Sequence, residues 1–159
     1  MLRTVLLFLG TVPQLAEALR CNQTLAELHL RSNQIGALGV GHLAGALRSN
    51  SSLHTLGLSS NRIGDPGAGL LAEMLKFNST IRTLWLGTAQ IGNPGAEQLA
   101  IALGSNTTLR WLYLDCNPIH DAGANKLAEA LKVNKILTSL YLDAWVIEDG
   151  HIMIEIRQA

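Results

Sequence analysis

Cysteine, proline and aromatic residues are all scarce in this chain. Its 159 residues hold two cysteines, four prolines, three tryptophans, two tyrosines and two phenylalanines, and twelve acidic side chains balance twelve basic ones. With no net charge, the chain lacks the basic field that drives nucleic-acid binding. No apolar run approaches the roughly 18 residues that a membrane-spanning helix needs. The five histidines, His29, His42, His54, His120 and His151, show no ligand spacing with one another or with the cysteines, so no zinc site is expected. No glycine-rich phosphate loop followed by Lys-Ser/Thr occurs. Ser59 and Ser60 near His29 lack an oxyanion donor and a buried setting, so the pair does not make a hydrolase. Neither an enzyme nor a cofactor is expected.

What the chain does have is a repeat of 28 residues in five copies without a slip of register. Leu25, Leu53, Ile81, Leu109 and Leu137 each open a copy. Leucine follows three and five residues on, as in Leu28 and Leu30 or Leu84 and Leu86, and isoleucine ten residues on at Ile35, Ile63, Ile91, Ile119 and Ile147. Leucines two apart share one side of a short strand. A helical spacing follows, as in Leu71, Ala72 and Leu75. Asp65 and Asn93, each before a proline, and Asp121 are placed to cap the helices they begin, whereas the first copy has only Ala37 there. The recurring Gly39, Gly67, Gly95 and Gly123 read as turn residues at helix starts. Asn50, Asn78, Asn106 and Asn134 stand at helix ends, where asparagine tolerates the left-handed conformation. A fixed period of this kind is the mark of a solenoid whose units bury their apolar faces against each other.

The pattern resembles the ribonuclease-inhibitor type of leucine-rich repeat, found also in the sensing regions of NOD-like receptors, over roughly residues 15 to 147. The resemblance implies an α/β fold: a right-handed horseshoe solenoid with parallel strands on the concave face and helices on the convex face. The near-uniform period is more like the NOD-like receptors, which implies a sensing or regulatory module of innate immunity. Asn33, Asn61 and Asn117 match the family asparagine that bonds the adjacent turn. Ala89 and Trp145 replace it in the third and fifth copies, so that ladder should be interrupted twice. A second family with strand-helix repeats, the Ran GTPase-activating proteins, uses an arginine on its activating face; here only Arg31 is comparably placed.

Three segments are expected: a degenerate leading repeat or N-terminal cap at 1–24, the repeats at 25–147, and a degenerate end at 148–159. Leu2, Leu7, Leu15, Ala16 and Leu19 sit one period before residues of the first full copy, but Met1 to Leu9 followed by Ala16-Glu17-Ala18 also reads as a signal peptide. Ile152, Ile154 and Ile156 alternate as in a strand. Cys21 and Cys116 lie about 30 Å apart if units stack at roughly 10 Å, too far for a disulfide at about 7 Å. Two free thiols favour a reducing, cytoplasmic setting; a secreted chain is the alternative if residues 1–18 are a signal. Sequons begin at Asn22, Asn50, Asn78 and Asn106, all on the periodic asparagine.

Strand residues between the leucines line the exposed sheet face. The middle column reads His29, Gly57, Trp85, Tyr113 and Tyr141, with Trp111 in the column before and Asp115 and Asp143 in the column after. Trp85, Trp111, Tyr113, Asp115, Tyr141 and Asp143 are therefore the candidate partner-binding residues. Aromatics beside acids suit a protein partner with a basic or apolar-basic patch, with neither nucleic acid nor membrane involved. The competing reading is that the rings only stack along the sheet. On the binding reading, removing Trp85 and Tyr113 leaves stability nearly intact.

Overall fold

The computed structural model describes the backbone of residues 11–146 and 150–157 and the side chains of residues 11–142. Leu2, Leu7, Ile147 and residues 1–9 of the signal-peptide reading lie outside the described residues. Helices and strands alternate: α1 (Val12–Cys21), β1 (Glu27–His29), α2 (Ala37–Leu47), β2 (Thr55–Gly57), α3 (Gly64–Leu75), β3 (Thr83–Trp85), α4 (Asn93–Leu103), β4 (Trp111–Tyr113), α5 (Asp121–Val133), β5 (Ser139–Val146) and β6 (Gly150–Arg157). One sheet carries the strands in chain order, β1 to β5 parallel and β6 antiparallel on β5.

The parallel register follows the sequence period. Leu28 pairs with Leu56, Leu56 with Leu84, Leu84 with Leu112 and Leu112 with Leu140. A three-residue strand turns its middle residue inward and its flanking residues outward, so these leucines are buried in a single core with Leu30, Leu58, Leu86, Leu114 and Leu142. Ile35, Ile63, Ile91 and Ile119 close the core where the chain turns toward the helices. Leu19 and Ala16 of α1 are buried in that same core and Leu15 packs against it, so the helical part of the leading segment stacks as a repeat helix does.

The helix-end asparagines are not left-handed. Asn134 has φ −74° and ψ 121°, and the left-handed residues are elsewhere. Instead, these amides are buried and tie each unit to the one before. The Oδ1 of Asn50 accepts the N–H groups of Ser52 (3.0 Å) and Leu53 (2.9 Å), while its Nδ2 donates to the carbonyls of Leu19 and Asn22, both at 2.8 Å. Asn78, Asn106 and Asn134 repeat the arrangement, donating to Leu47, Leu75 and Leu103 at 2.7 Å. These bonds occupy the amide nitrogens that a glycan would need at Asn50, Asn78 and Asn106. Asn22, one rung earlier, is exposed.

A second ladder uses the loop asparagines. Asn61 Oδ1 accepts from the backbone of Asn33 (3.1 Å) and Ile35 (2.8 Å), and Asn117 Oδ1 accepts from Ala89 and Ile91, both at 3.0 Å. Two N–H groups two residues apart converge on one oxygen only if the residue between them is left-handed, and Gln34 (φ 57°) and Gln90 (φ 62°) are. Where Ala89 offers no such oxygen, the loop of the second copy differs. There Arg62, the counterpart of Gln34, is not left-handed and Gly64 (φ 61°) is, its N–H donating to the Ala89 carbonyl at 3.0 Å.

Helix-start Asp65 and Asn93 also act across units, not on their own helices, and α3, α4 and α5 carry no side-chain cap of their own, Asp121 included. Asp65 Oδ1 accepts from Gly92 (2.7 Å) and Gly95 (2.9 Å) at the start of α4, and Asn93 Oδ1 accepts from His120 (2.9 Å) and Gly123 (3.0 Å) at the start of α5. Gly95 and Gly123 are consequently not turn residues: a Cβ would meet Asp65 Oδ1 at 2.7 Å in the one case and Asn93 Oδ1 at 2.8 Å in the other. Among the described residues no buried side-chain nitrogen or oxygen lacks a partner.

Leu86 is fully buried at the centre of the array, and Leu86→Ala should cost about 2–5 kcal/mol in urea unfolding. Asp65→Ala should cost about 0.5–2 kcal/mol. Hydrogen exchange should show the Gly92 and Gly95 amides opening while Gly67 in α3 stays protected; faster exchange in α3 instead would show that Asp65 caps its own helix.

Candidate functional site

Because each strand lies about 4.8 Å from the next, residues one period apart face each other along the exposed sheet. Trp85 pairs with Tyr113 and Tyr113 with Tyr141. The rings stack nearly parallel, 4.0 Å between the centroids of Trp85 and Tyr113 at 6°, and 4.4 Å between Tyr113 and Tyr141 at 7°. Trp85 remains 39% exposed and Trp111, beside the stack on β4, 36%. The rings therefore stack along the sheet, as the competing reading expects, while the stack still meets solvent.

The stack begins at β3. In β2 the same column holds Gly57, over which the His29 ring leans, so that a Cβ there would come 2.9 Å from His29 Nδ1. Glu27 lies 3.5 Å from His29 Nε2. A shallow groove of about 360 Å³ results, lined by Glu27, His29, Thr55, Thr83, Trp85, Trp111 and Tyr113. On the far side of the stack, the Asp115 carboxylate lies across Gly87, where a Cβ would meet Oδ2 at 2.5 Å. Asp143 follows Asp115 by one period in β5, and its side chain lies outside the described residues.

Five of the six sequence-predicted residues are accordingly placed with their side chains: Trp85, Tyr113 and Tyr141 in one stack, Trp111 flanking it, and Asp115 on the adjacent column. His29 and Glu27 were not in that set, although both occupy exposed columns. The signal that finds them is Gly57, the one position in the middle column without a side chain. Phe77, just past the end of α3, is 59% exposed and packs under Arg48, whose guanidinium carbon lies 4.1 Å from its ring centroid. Neither Cys21 nor Cys116 forms a disulfide, and both are exposed. Among the described residues no group of three or more His, Cys, Asp or Glu side chains gathers as a metal site would.

Stacking alters the expected consequence of removing the rings. A stacked pair is worth about 0.5–1.5 kcal/mol beyond its buried area. Tyr113→Ala breaks two such contacts and should cost about 1–3 kcal/mol, roughly twice the loss in Trp85→Ala; equal losses in thermal melts would show that the contacts carry no stability.

Three stretches match the family model described as Leucine Rich repeat, residues 21–44, 49–72 and 105–128. No curated protein matches the chain. Among solved structures, the chain is similar to one titled Leiomodin-1 Actin-Binding Site 2, at 24% identity over 89% of this chain and 82% of that one, with a TM-score of 0.77. It is also similar to the tropomodulin C-terminal domain of Caenorhabditis elegans, at 15% identity over 87% and 84% of the two chains, with a TM-score of 0.72. Matched repeats, a single parallel sheet and alternating helices together make this chain an α/β solenoid built of leucine-rich repeats.

Proposed function

We propose that the chain is a non-enzymatic protein-interaction domain, binding a protein partner on the exposed sheet face centred on Trp85, Tyr113 and Tyr141. The observation that carries this reading is the three-ring stack, held rigid by the sheet register yet open to solvent on the same face as Trp111. Rings already fixed in place lose little freedom on binding, and aromatic anchors dominate interface energetics. Asp115, followed in register by Asp143, supplies negative charge beside the rings, which suits a partner bearing arginine or lysine next to an apolar patch. Resemblance of the repeats to those of NOD-like receptors supports a sensing or regulatory role, and two exposed cysteines that form no disulfide support a cytoplasmic setting.

A second reading has its own observation. The leiomodin-1 structure, whose title names an actin-binding site, shares this fold over most of both chains, so actin is a candidate partner that can be tested directly.

Capture of partners by the parent chain should be compared with capture by a Trp85→Ala/Tyr113→Ala/Asp115→Ala variant that circular dichroism shows to be folded. Partners of the exposed face should lose about thirtyfold or more in affinity, the equivalent of some 2 kcal/mol. Co-sedimentation with purified actin decides the second reading. An identical partner set for both proteins would move the function to the outer helices.

A further inference from the structure

We propose that the rim where the chain enters the strands is a separate binding site, for an acidic polypeptide segment, and that it lies beside the aromatic face without depending on it. Loops 50–54, 78–82, 106–110 and 134–138 form this rim. They contain no aspartate or glutamate, and they carry His54, Arg82, Arg110 and Lys135. Backbone bonds set the arginines in line: the Arg82 N–H donates to the His54 carbonyl and the Arg110 N–H to the Arg82 carbonyl, both at 2.8 Å. Arg82 and Arg110 are therefore neighbours on adjacent rungs, both exposed, and neither joins an ion pair among the described residues.

Like charges on adjacent rungs repel, and among the described residues no acid pairs with either arginine to relieve that repulsion. Glu73 and Glu129 pair with Lys76 and Lys126 on the outer helices, and Asp115 lies past the opposite end of its strand. The rim is therefore a line of positive charge left for an external anion to neutralise. A phosphate group is a poor match, since such sites recruit backbone N–H groups and the N–H groups of the arginines and of the two residues before each are already taken. Thr80 and Ile81 donate to Asn78 Oδ1, Thr108 and Leu109 to Asn106 Oδ1, and Arg82 and Arg110 as described. Only side chains in a row are offered. An extended peptide bearing carboxylates along its length matches that geometry, because long side chains bridge the difference between its repeat and a rung spacing of about 4.8 Å.

Fluorescence anisotropy of a labelled octaglutamate peptide at low ionic strength tests the proposal on the intact chain. Arg82→Ala/Arg110→Ala should weaken saturable binding about tenfold or more. Arg31→Ala/Arg62→Ala removes the same charge from the opposite end of the strands and should change it by less than about twofold. Trp85→Ala/Tyr113→Ala should leave peptide affinity unchanged, so that failure of the rim and failure of the aromatic face are told apart. Equal losses in the two arginine pairs would reduce the effect to net charge and overturn the proposal. So would the lack of saturable binding, or displacement of the peptide by inorganic phosphate at equal charge.

Discussion

A buried primary amide with one oxygen and two hydrogens to satisfy is the element on which this structure depends. Asn50, Asn78, Asn106 and Asn134 each close the turn after their own helix through Oδ1 and reach back to the previous unit's helix end through Nδ2. A single such bond contributes only about 1 kcal/mol net. Replacing the amide by a methyl would strand buried backbone groups on both units, a larger loss than the bond itself. The two ends of each bridge are 31 residues apart in sequence, or 28 to the previous asparagine, so the bridge recurs once per period with the leucine core packed inside the ladder.

That ladder determines the exposed face as well. Once the register is locked, every exposed column becomes a row at strand spacing, and an aromatic residue placed in three successive copies must stack. The rings of Trp85, Tyr113 and Tyr141 come closer, 4.0 and 4.4 Å, than the roughly 4.8 Å between strands, which means they lean together across the column. Glycine on either side makes room for their neighbours. Gly57 lets His29 lie over the sheet in front of the stack, and Gly87 lets Asp115 lie across it behind. Small residues at these two positions are as much a part of the site as the rings.

Much of this was legible in the chain alone. Strand register, the inward leucines and the exposed columns all follow from the period, because a repeat of constant length leaves one way to align its copies. The alternation of Ile152, Ile154 and Ile156 falls in β6, whose register sets Ile154 opposite Leu142 and Ile156 opposite Leu140. The bonds of Asn61 and Asn117 to the preceding unit were implied by the repeat resemblance; what escaped were the cross-unit bonds made from the helix ends and helix starts. Asp65 before Pro66 reads as a cap for its own helix, since local spacing cannot reveal that the start of the next helix is as close as its own. The helix-end asparagines read as left-handed for the same reason. Their use is visible only when the neighbouring carbonyl is in place. Stacking of Trp85 on Tyr113 was one of two open readings, and the structure shows it.

The antiparallel strand at the end of the sheet departs from the repeat. In the first four copies the strand is three residues long, and the chain then leaves the sheet through a loop bonded to an asparagine, or at Ala89 through its bond to Asn117. In the fifth copy Trp145 stands where that asparagine would be, so no amide draws the preceding loop toward it. β5 runs on to Val146, eight residues in all, and without a partner its edge would present a long row of N–H and C=O groups. Such an edge invites pairing with another chain. β6 occupies it along its whole length, from Ser139 opposite Arg157 to Val146 opposite Gly150. Loss of the asparagine alone does not lengthen a strand, since β3 keeps three residues with Ala89 in that place; what sets β5 apart is that β6 pairs with it along its whole length.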